Sequence, residues 1–494
     1  MRLLELYIHI PFCKKKCKYC DFLSGPSTAD ERESYVKSLC RDIRSYAHLA
    51  KACRVISIFV GGGTPSTLTA FQMQQIFSAV RDTFVVEENA EITVEMNPGT
   101  VDREKLSGYK KCGINRLSIG LQSTKNRELQ ILGRIHTYEE FLETYHMARA
   151  EGFENINVDL MSAIPGQSLT DWEENLKTVA ELAPEHISAY SLIVEEGTPF
   201  YEEYGEGRHA DELPDEETER KMYWRTKEIL SKYGYERYEI SNYAKPGYAC
   251  RHNIGYWERT EYLGIGTGAA SLINNSRFNY GEEPEKLTVS AQMEETMFLG
   301  LRMMKGVSKI EFLKMYGESM ENVYGNVIRD MEQKGLLEDG EDFVKLTDRG
   351  IDVSTYVMSE FLFEIITPSK QFFKGQAEQV ICQTTDGEMG ILKGHGTMVA
   401  TLTIGEIRIK TAGEWKNAYI SGGFMEVRND EVLVFSNCCE WPEEIDEAKA
   451  EESRRKAAEL MLHEQNVREH RHNEITLARA MARLKVKKEY RNVR

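Results

Sequence analysis

The chain has 494 residues, 41% of them hydrophobic and 29% charged, a composition that excludes an intrinsically disordered protein and is too long for one ordinary core. With 79 acidic against 62 basic residues the formal charge is -17, which excludes general binding to nucleic acid or to anionic lipid. No apolar run reaches the ~20 residues needed to cross a bilayer, and Glu5 and His9 interrupt the apolar opening, so Met1 to Phe12 reads as a buried strand and not as a signal peptide.

From Leu6 to about Ala244 short β-rich runs alternate with amphipathic helical stretches. Strands are predicted at Leu6–Ile10, Val55–Val60, Glu91–Glu95, Arg116–Leu121, Ile156–Met161 and Ile187–Val194. Helices are predicted between them at Ala29–Leu49, Thr69–Phe84, Thr137–Glu151 and Leu169–Leu182. Repeated strand–helix units imply a parallel sheet with helices outside it, and six of them predict a partial (β/α)6 barrel whose working end is the C-terminal end of the strands.

The pattern then changes twice. Ala291–Met304 and Lys309–Tyr316 are helical, and Gly335-Leu336-Leu337 followed by Phe343–Leu346 predicts a hairpin, which together make a small winged-helix-like α/β unit. Phe363 to Asn437 reads as short alternating strands broken by Gly387, Gly390, Gly394, Gly405, Gly413 and Gly422-Gly423, which predicts a β-sandwich. Beyond Trp441-Pro442, Glu443–His463 and Asn473–Lys487 predict a helical hairpin. The expected domains are 1–245, 246–362, 363–442 and 443–494.

Ten cysteines form no disulfide framework, the usage of a reducing cytosol. Three of them, in Cys13-x3-Cys17-x2-Cys20, follow the first strand. Soft thiolates at close spacing select zinc or iron–sulfur chemistry, and no fourth ligand is spaced to complete a zinc finger. Gly61-Gly62-Gly63-Thr64-Pro65 follows the second strand, where backbone without Cβ atoms can approach a ligand closely.

Cys13–Cys20 and the glycine run together resemble the radical S-adenosylmethionine superfamily. Tyr7-Ile-His9-Ile-Pro11-Phe12, Gly113 to Ser123, Leu132-Gly133-Arg134, Asp159-Leu-Met161 through Pro165-Gly166-Gln167, Tyr238 to Asn242 and Arg251-His252-Asn253-Ile-Gly-Tyr256-Trp257 narrow the resemblance to the haem-chaperone branch of the coproporphyrinogen oxidase-like family, over roughly the first 360 residues. The resemblance implies a [4Fe-4S] cluster on Cys13, Cys17 and Cys20, with S-adenosylmethionine on its open iron cleaved reductively to a 5'-deoxyadenosyl radical. It implies cofactor contacts at Tyr7, Gly62, Gly63, Thr64, Glu95, Gln122, Arg134 and Asp159. It also implies haem on His252 and a haem-accepting partner protein. The oxidase proper carries a further cysteine where this chain has Phe22, and Thr124 replaces a common Phe.

From Glu364 the resemblance is to another family. Ile365-Ile-Thr-Pro368-Ser-Lys370, Asp386-Gly387-Glu388-Met-Gly390, Gly394-His395 and Ile420-Ser421-Gly422-Gly423-Phe424 are similar to the epsilon subunit of a rotary F-type ATP synthase. This implies the rotor's gamma subunit and c-ring as partners, and a cytoplasmic location, peripheral at the membrane. Arg479, Arg483, Lys485, Lys487 and Lys488 suit an acidic partner as well as they suit solvent. Lys449 replaces the arginine of the family's ATP-binding segment, so ATP binding is not expected. Two alternative readings stay open: an oxygen-independent coproporphyrinogen III oxidase in porphyrin biosynthesis, and a protein that is chiefly an ATP synthase rotor subunit.

Overall fold

The computed structural model describes residues 2–493, apart from 360, 362–365, 368–369, 372–378, 386, 393–397, 412–413, 429–430, 437 and 464–466. Contacts divide the chain into two units, Met1–Leu287 with Gln292–Met358, and Ser359–Arg494 with Thr288–Ala291.

In the first unit, β1 (Arg2–Ile10), β2 (Cys53–Gly62), β3 (Val86–Met96), β4 (Arg116–Gln122), β5 (Ile156–Ser162) and β6 (His186–Ser191) pair in chain order, each parallel to the next. The strands run longer than the sequence pattern predicts, except the sixth, which stops at Ser191. The connecting helices are α1 (Ala29–Ser45), α2 (Ala47–Ala50), α3 (Ala70–Thr83), α4 (Arg103–Lys111), α5 (Asn126–Ile131), α6 (Tyr138–Ala150) and α7 (Leu169–Glu181). Four of them begin with a reciprocal capping box, Thr28/Glu31, Thr69/Gln72, Thr137/Glu140 and Ser168/Asp171, which fixes where each helix starts.

Alternation along the strands separates two faces. Leu4, Leu6, Ile8 and Ile10 of β1 join one core with Val36 and Ile43 of α1, Ile76 and Phe77 of α3, and Trp172 and Leu176 of α7. The opposite face is polar and equally buried, carrying Glu5, Ser57, Glu91, Thr93, Arg116, Ser118, Asn157 and His186.

After α8 (Pro199–Tyr204) and α9 (Glu216–Lys232), β7 (Glu236–Arg237) and β8 (Asn242–Ala244) close one edge of the sheet, β8 antiparallel to β6. The helix α10 (Arg251–Trp257) leads to β9 (Tyr262–Ile265), which pairs parallel with β1, and β10 (Ala270–Ile273), β11 (Ser276–Asn279) and β12 (Glu285–Lys286) extend that edge. The sheet therefore continues across the boundary expected at residue 245. The remainder of the unit holds α11 (Val289–Gly300), α12 (Lys309–Tyr316), α13 (Met320–Gln333), α14 (Asp348–Asp352) and α15 (Ser354–Ser359). With them is a small antiparallel sheet of β13 (Val307–Ser308), β14 (Leu337–Asp339) and β15 (Phe343–Leu346).

The second unit is a β-rich body followed by helices. Its strands are β16 (Ile366–Thr367), β17 (Lys370–Gln371), β18 (Gln379–Thr384), β19 (Gly387–Leu392), β20 (Met398–Thr411), β21 (Glu414–Arg428), β22 (Glu431–Ser436) and β23 (Cys439–Glu440). They surround a core that includes Val380, Ile407, Ile420, Met425 and Val434. Gly405 and Gly422-Gly423 were expected to break strands, but β20 and β21 run through them. A Cβ on Gly423, at φ +135°, would lie 1.9 Å from Phe435 O, so glycine there permits close strand approach and does not end the strand. The helices are α16 (Glu447–His463) and α17 (Val467–Val493). Ile365, Pro368, Asp386, Gly394, His395 and Gly413, on which the sequence reading drew, lie outside the described residues.

Candidate cluster and cofactor site

β1 runs into a loop over residues 11–28, and the glycine run after β2 is stitched to it. Gly63 N–H donates to Ile10 O at 2.8 Å and Thr64 N–H to Phe12 O at 2.7 Å. A Cβ on Gly63 would lie 2.8 Å from Phe12 O, and one on Gly62, at φ +109°, would lie 2.4 Å from the His9 ring, so both positions need glycine. His9 holds the loop from the other side, with Tyr7 Oη 3.2 Å from Nδ1 and Leu23 O 3.2 Å from Nε2.

Cys13, Cys17 and Cys20 are free and half-buried on this loop. Thr64 Oγ1 donates to Cys13 Sγ at 3.5 Å and accepts from Asn97 Nδ2 at 2.8 Å. Asn97 Oδ1 accepts from Arg134 Nη2 at 2.7 Å, and Arg134 Nη1 donates to Cys17 Sγ at 3.6 Å. A continuous polar chain thus links two of the three sulfurs. Burial pushes the Cys20 thiol up. Among the described residues no three His, Cys, Asp or Glu side chains converge at metal-ligand spacing. The donor set still fits a thiolate-held cluster: three soft ligands lie on one loop, with a guanidinium against one sulfur.

Of the remaining residues implied as cofactor contacts, Glu95 and Gln122 lie at the C-terminal ends of β3 and β4, and Tyr7 and Asp159 lie within β1 and β5. Glu95 Oε2 accepts from Gly62 N–H at 3.1 Å, and burial, reinforced by the Asp159 charge, pushes its carboxyl up to about 8. Burial also raises Asp159, although Asn157 Nδ2 donates to it at 2.7 Å and Arg116 opposes the shift. Tyr7 is raised by burial and then by Glu95. Gln122 Oε1 accepts from Tyr190 Oη at 2.7 Å. Glu95 can therefore donate or accept at neutral pH, and Arg134 supplies a fixed cation, a combination suited to hydroxyls and a carboxylate.

Asn97 and Tyr190 escaped the sequence reading. Asn97 immediately follows β3, two positions after Glu95, at the turn that Thr100 N–H closes on Asn97 O.

His252 sits on α10 against the middle of β2. It is 1% exposed, with Ser57 Oγ 2.8 Å from Nδ1, Tyr256 Oη 3.1 Å from Nε2 and its ring stacked on Phe59. Both ring nitrogens are engaged, and burial holds its pKa down to about 3, so the imidazole is neutral. Glu91 caps α10, Oε2 accepting from Arg251 N–H at 3.1 Å and Oε1 from His252 N–H at 3.2 Å.

In the second unit, Arg483 and Lys487, among the basic residues singled out on the last helix, make internal contacts. Arg483 pairs with Glu440, Nε to Oε2 at 2.5 Å, and lies over the Tyr419 ring at 4.4 Å. Lys487 Nζ donates to Pro442 O at 2.7 Å.

Three cysteines on the loop after the first of six sequential parallel strands, with a glycine cradle on the second, define a radical S-adenosylmethionine protein. The family profile described as "Radical SAM superfamily" matches residues 7–179, and "HemN C-terminal domain" matches 287–353. Two profiles cover the rest: "ATP synthase, Delta/Epsilon chain, beta-sandwich domain" at 360–442 and "ATP synthase, Delta/Epsilon chain, long alpha-helix domain" at 443–488. "Heme chaperone HemW" of Bacillus subtilis (strain 168) is 36% identical over 377 residues, spanning 73% of this chain and 99% of its own length. The proteins of the same name from Lactococcus lactis and Escherichia coli are 34% and 33% identical, each over 73% of this chain and over 97% and 98% of their own lengths. The solved structure of coproporphyrinogen III oxidase (HemN) from Escherichia coli has a TM-score of 0.64 at 22% identity, over 73% of this chain and 90% of its own, a likeness of fold. The chain belongs to the HemW family, and carries fused to that body an ATP-synthase epsilon/delta-like module.

Family membership implies the capacity for a [4Fe-4S] cluster and S-adenosylmethionine. Among the described residues no helix is long and apolar enough to cross a membrane.

Proposed function

We propose that the first unit is a haem-handling radical S-adenosylmethionine protein, in which Cys13, Cys17 and Cys20 hold the cluster. Tyr7, Gly62, Gly63, Thr64, Glu95, Gln122, Arg134 and Asp159 would hold the cofactor. The six parallel strands are read as a partial (β/α)6 barrel with this site at its mouth. The observation that carries the reading is the polar chain Thr64–Asn97–Arg134, which contacts the sulfurs of Cys13 and Cys17 beside a backbone cradle that only glycine fits. When bound, the group supplies one-electron reductive cleavage of a sulfonium C–S bond. The protein's part is placement: Gly62 and Gly63 leave room for the ligand, Arg134 presents a cation to a carboxylate, and Glu95 and Asp159 face the hydroxyls.

Haem ligation is assigned to His252, supported by the names of the relatives and by its neutral imidazole, the form that ligates iron. Nε2 must first leave Tyr256 Oη. Tyr256→Phe should therefore strengthen haem binding by a fewfold, whereas His252→Ala should weaken it and shift the Soret band. Spectral titration of both variants is the test, and unchanged affinity and spectra in both would leave His252 as a core residue. Paired with an assay of coproporphyrinogen turnover, the titration addresses the oxidase alternative, since turnover without haem binding would favour that reading.

The second unit is proposed to dock on the gamma subunit and c-ring of an ATP synthase, a reading supported by two family profiles that together cover it almost end to end. Pull-down of gamma subunit by the full chain tests this. Peptides spanning Ser359–Ser369, at the abundance of both flanking parts, should be found in the natural protein if the fusion is expressed as one chain.

A further inference from the structure

The helix α5 carries a buried carboxyl group, bonded to the turn after β4, to which neither the family resemblance nor the cluster chemistry gives a role. Ser123, Glu128 and Asn175 have no solvent exposure. Glu128 Oε2 accepts from Ser123 Oγ at 2.6 Å, Gln167 Nε2 at 2.9 Å and Asn175 Nδ2 at 3.1 Å. Its Oε1 has no partner, and no ion pair to it occurs among the described residues. Asn175 Oδ1 in turn accepts from Thr124 N–H at 2.6 Å and Thr124 Oγ1 at 2.5 Å. The threonine that departs from the family pattern is thus built into the knot. One carboxylate gathers the turn after β4, the helix α5, the turn after β5 and the helix α7.

What emerges from the knot on either side are two of the residues assigned to the cofactor. Gln122 immediately precedes Ser123. The β4–β5 register slips between Gly120 and Gln122, and Gln122 adopts φ +75°, a left-handed backbone that non-glycine residues rarely take. Such a bulge re-aims the side chain that follows it, and its strain persists only where neighbours over-determine it. Arg134 follows α5, whose last turn closes through Leu132 N–H to Glu128 O and Arg134 N–H to Leu129 O. Its Nη2 reaches back to Gly120 O at 2.5 Å.

Resting on the cofactor assignment above, we propose that Glu128 is a positioning residue: it fastens the turn after β4 to α5 and α7, so that Gln122 and Arg134 are held in the geometry that grips S-adenosylmethionine. Stability alone does not account for it. A buried carboxyl group with no cation beside it and an unpartnered oxygen is a poor stabiliser compared with an apolar side chain of the same size. What three hydrogen bonds to one oxygen provide is a single fixed arrangement of four segments.

The test uses the full chain, reconstituted anaerobically, with Glu128→Gln, Glu128→Leu, Gln122→Ala and, as a control, Tyr235→Phe, which removes a buried bond to Pro184 O remote from the site. Iron and sulfide content, S-adenosylmethionine affinity by calorimetry, and hydrogen exchange of peptides over residues 122–134 are read for each. Outer-shell changes of this kind cost about 10- to 100-fold in affinity. Glu128→Leu should retain its cluster, weaken S-adenosylmethionine by at least about tenfold and speed exchange over 122–134, with Glu128→Gln intermediate. Tyr235→Phe should lower stability with affinity unchanged. If Glu128→Leu does not fold, Glu128→Gln carries the same comparison. Affinity within about twofold of wild type in the folded Glu128 variants, while Gln122→Ala loses binding, overturns the positioning role and leaves the cofactor site standing. Unchanged affinity in Gln122→Ala as well overturns both.

Discussion

Replacing Glu5 with Gln should make the protein more stable at alkaline pH and leave it unchanged in acid. Glu5 lies on β1, 1% exposed, its Oε2 unpartnered and 3.9 Å from His252 Nδ1. It occupies the space where a Cβ on Gly255 would lie, 2.2 Å from Oε1. Burial first, with the Glu91 and Glu258 charges adding and Ser57 opposing, pushes its carboxyl from 4.5 up to about 8. A raised acid binds more protons folded than unfolded, so stability is intact below pH 4.5 and falls as pH climbs toward 8. At about 1.4 kcal/mol per pH unit the ceiling is about 5 kcal/mol, and relaxation around a buried site reduces the expected gain to about 2 kcal/mol at pH 8.5. Urea denaturation read by hydrogen exchange over β1 to β4 scores this unit separately from the second one. A stability difference between Glu5→Gln and wild type that stays constant from pH 5 to 8.5 would refute the reasoning.

Three further outcomes are expected. Cys13→Ser, Cys17→Ser or Cys20→Ser should abolish the broad [4Fe-4S] absorbance of reconstituted protein, whereas Cys112→Ser and Cys250→Ser, both buried, should keep it; equal behaviour of all five would sink the ligand assignment. Gly63→Ala, which forces a Cβ to 2.8 Å from Phe12 O, should displace the cysteine loop and lower iron content at least severalfold, and normal iron and cofactor binding in this variant would remove the steric argument. Arg483→Ala, which loses its pairing with Glu440 and its place on Tyr419, should speed exchange along α17 by an amount equivalent to about 1–2 kcal/mol, and unchanged exchange would mean the helix is held by other contacts.

The strand–helix alternation was legible where a unit carries two strong signals, an apolar β-rich run and a long capped helix, whereas the shorter helices α4 and α5 gave too little periodicity to be predicted. Thr28, Thr69, Thr137 and Ser168 each initiate a helix where the sequence pattern puts one, to within a residue. The edges were harder. β7, β8 and β12 are two or three residues long, too short for periodicity to register, and β9 joins β1 across more than 250 residues of chain, a pairing no local pattern encodes. The cysteine loop and the glycine run could be singled out in the sequence, although spacing alone left zinc and iron–sulfur chemistry open and it was the family resemblance that joined the two. Asn97 and Glu128 could not. Each looks like an ordinary polar residue until the fold places Asn97 between Thr64 and Arg134, and Glu128 between Ser123 and Asn175.

Saturation separates support from site on the polar face of the large sheet. His186 has Asn157 Oδ1 at 2.6 Å from Nδ1 and Tyr238 Oη at 2.9 Å from Nε2, and His252 is closed by Ser57 and Tyr256 in the same way. Buried imidazoles so satisfied hold segments together, and opening one forfeits about 1 kcal/mol per bond in addition to the packing above it. At the strand ends the groups are less complete: the thiols have single contacts from Thr64 and Arg134, and the Glu95 carboxyl takes one backbone N–H while held up to about 8. The sparse bonding of the thiols and of Glu95 leaves them available to a ligand without prior rearrangement, whereas Asp159, Gln122 and Arg134 are already bonded. A ligand at His252 must first break the Tyr256 bond, so if haem binds there its arrival is coupled to movement of α10, and it should be slower than cofactor binding at the strand ends.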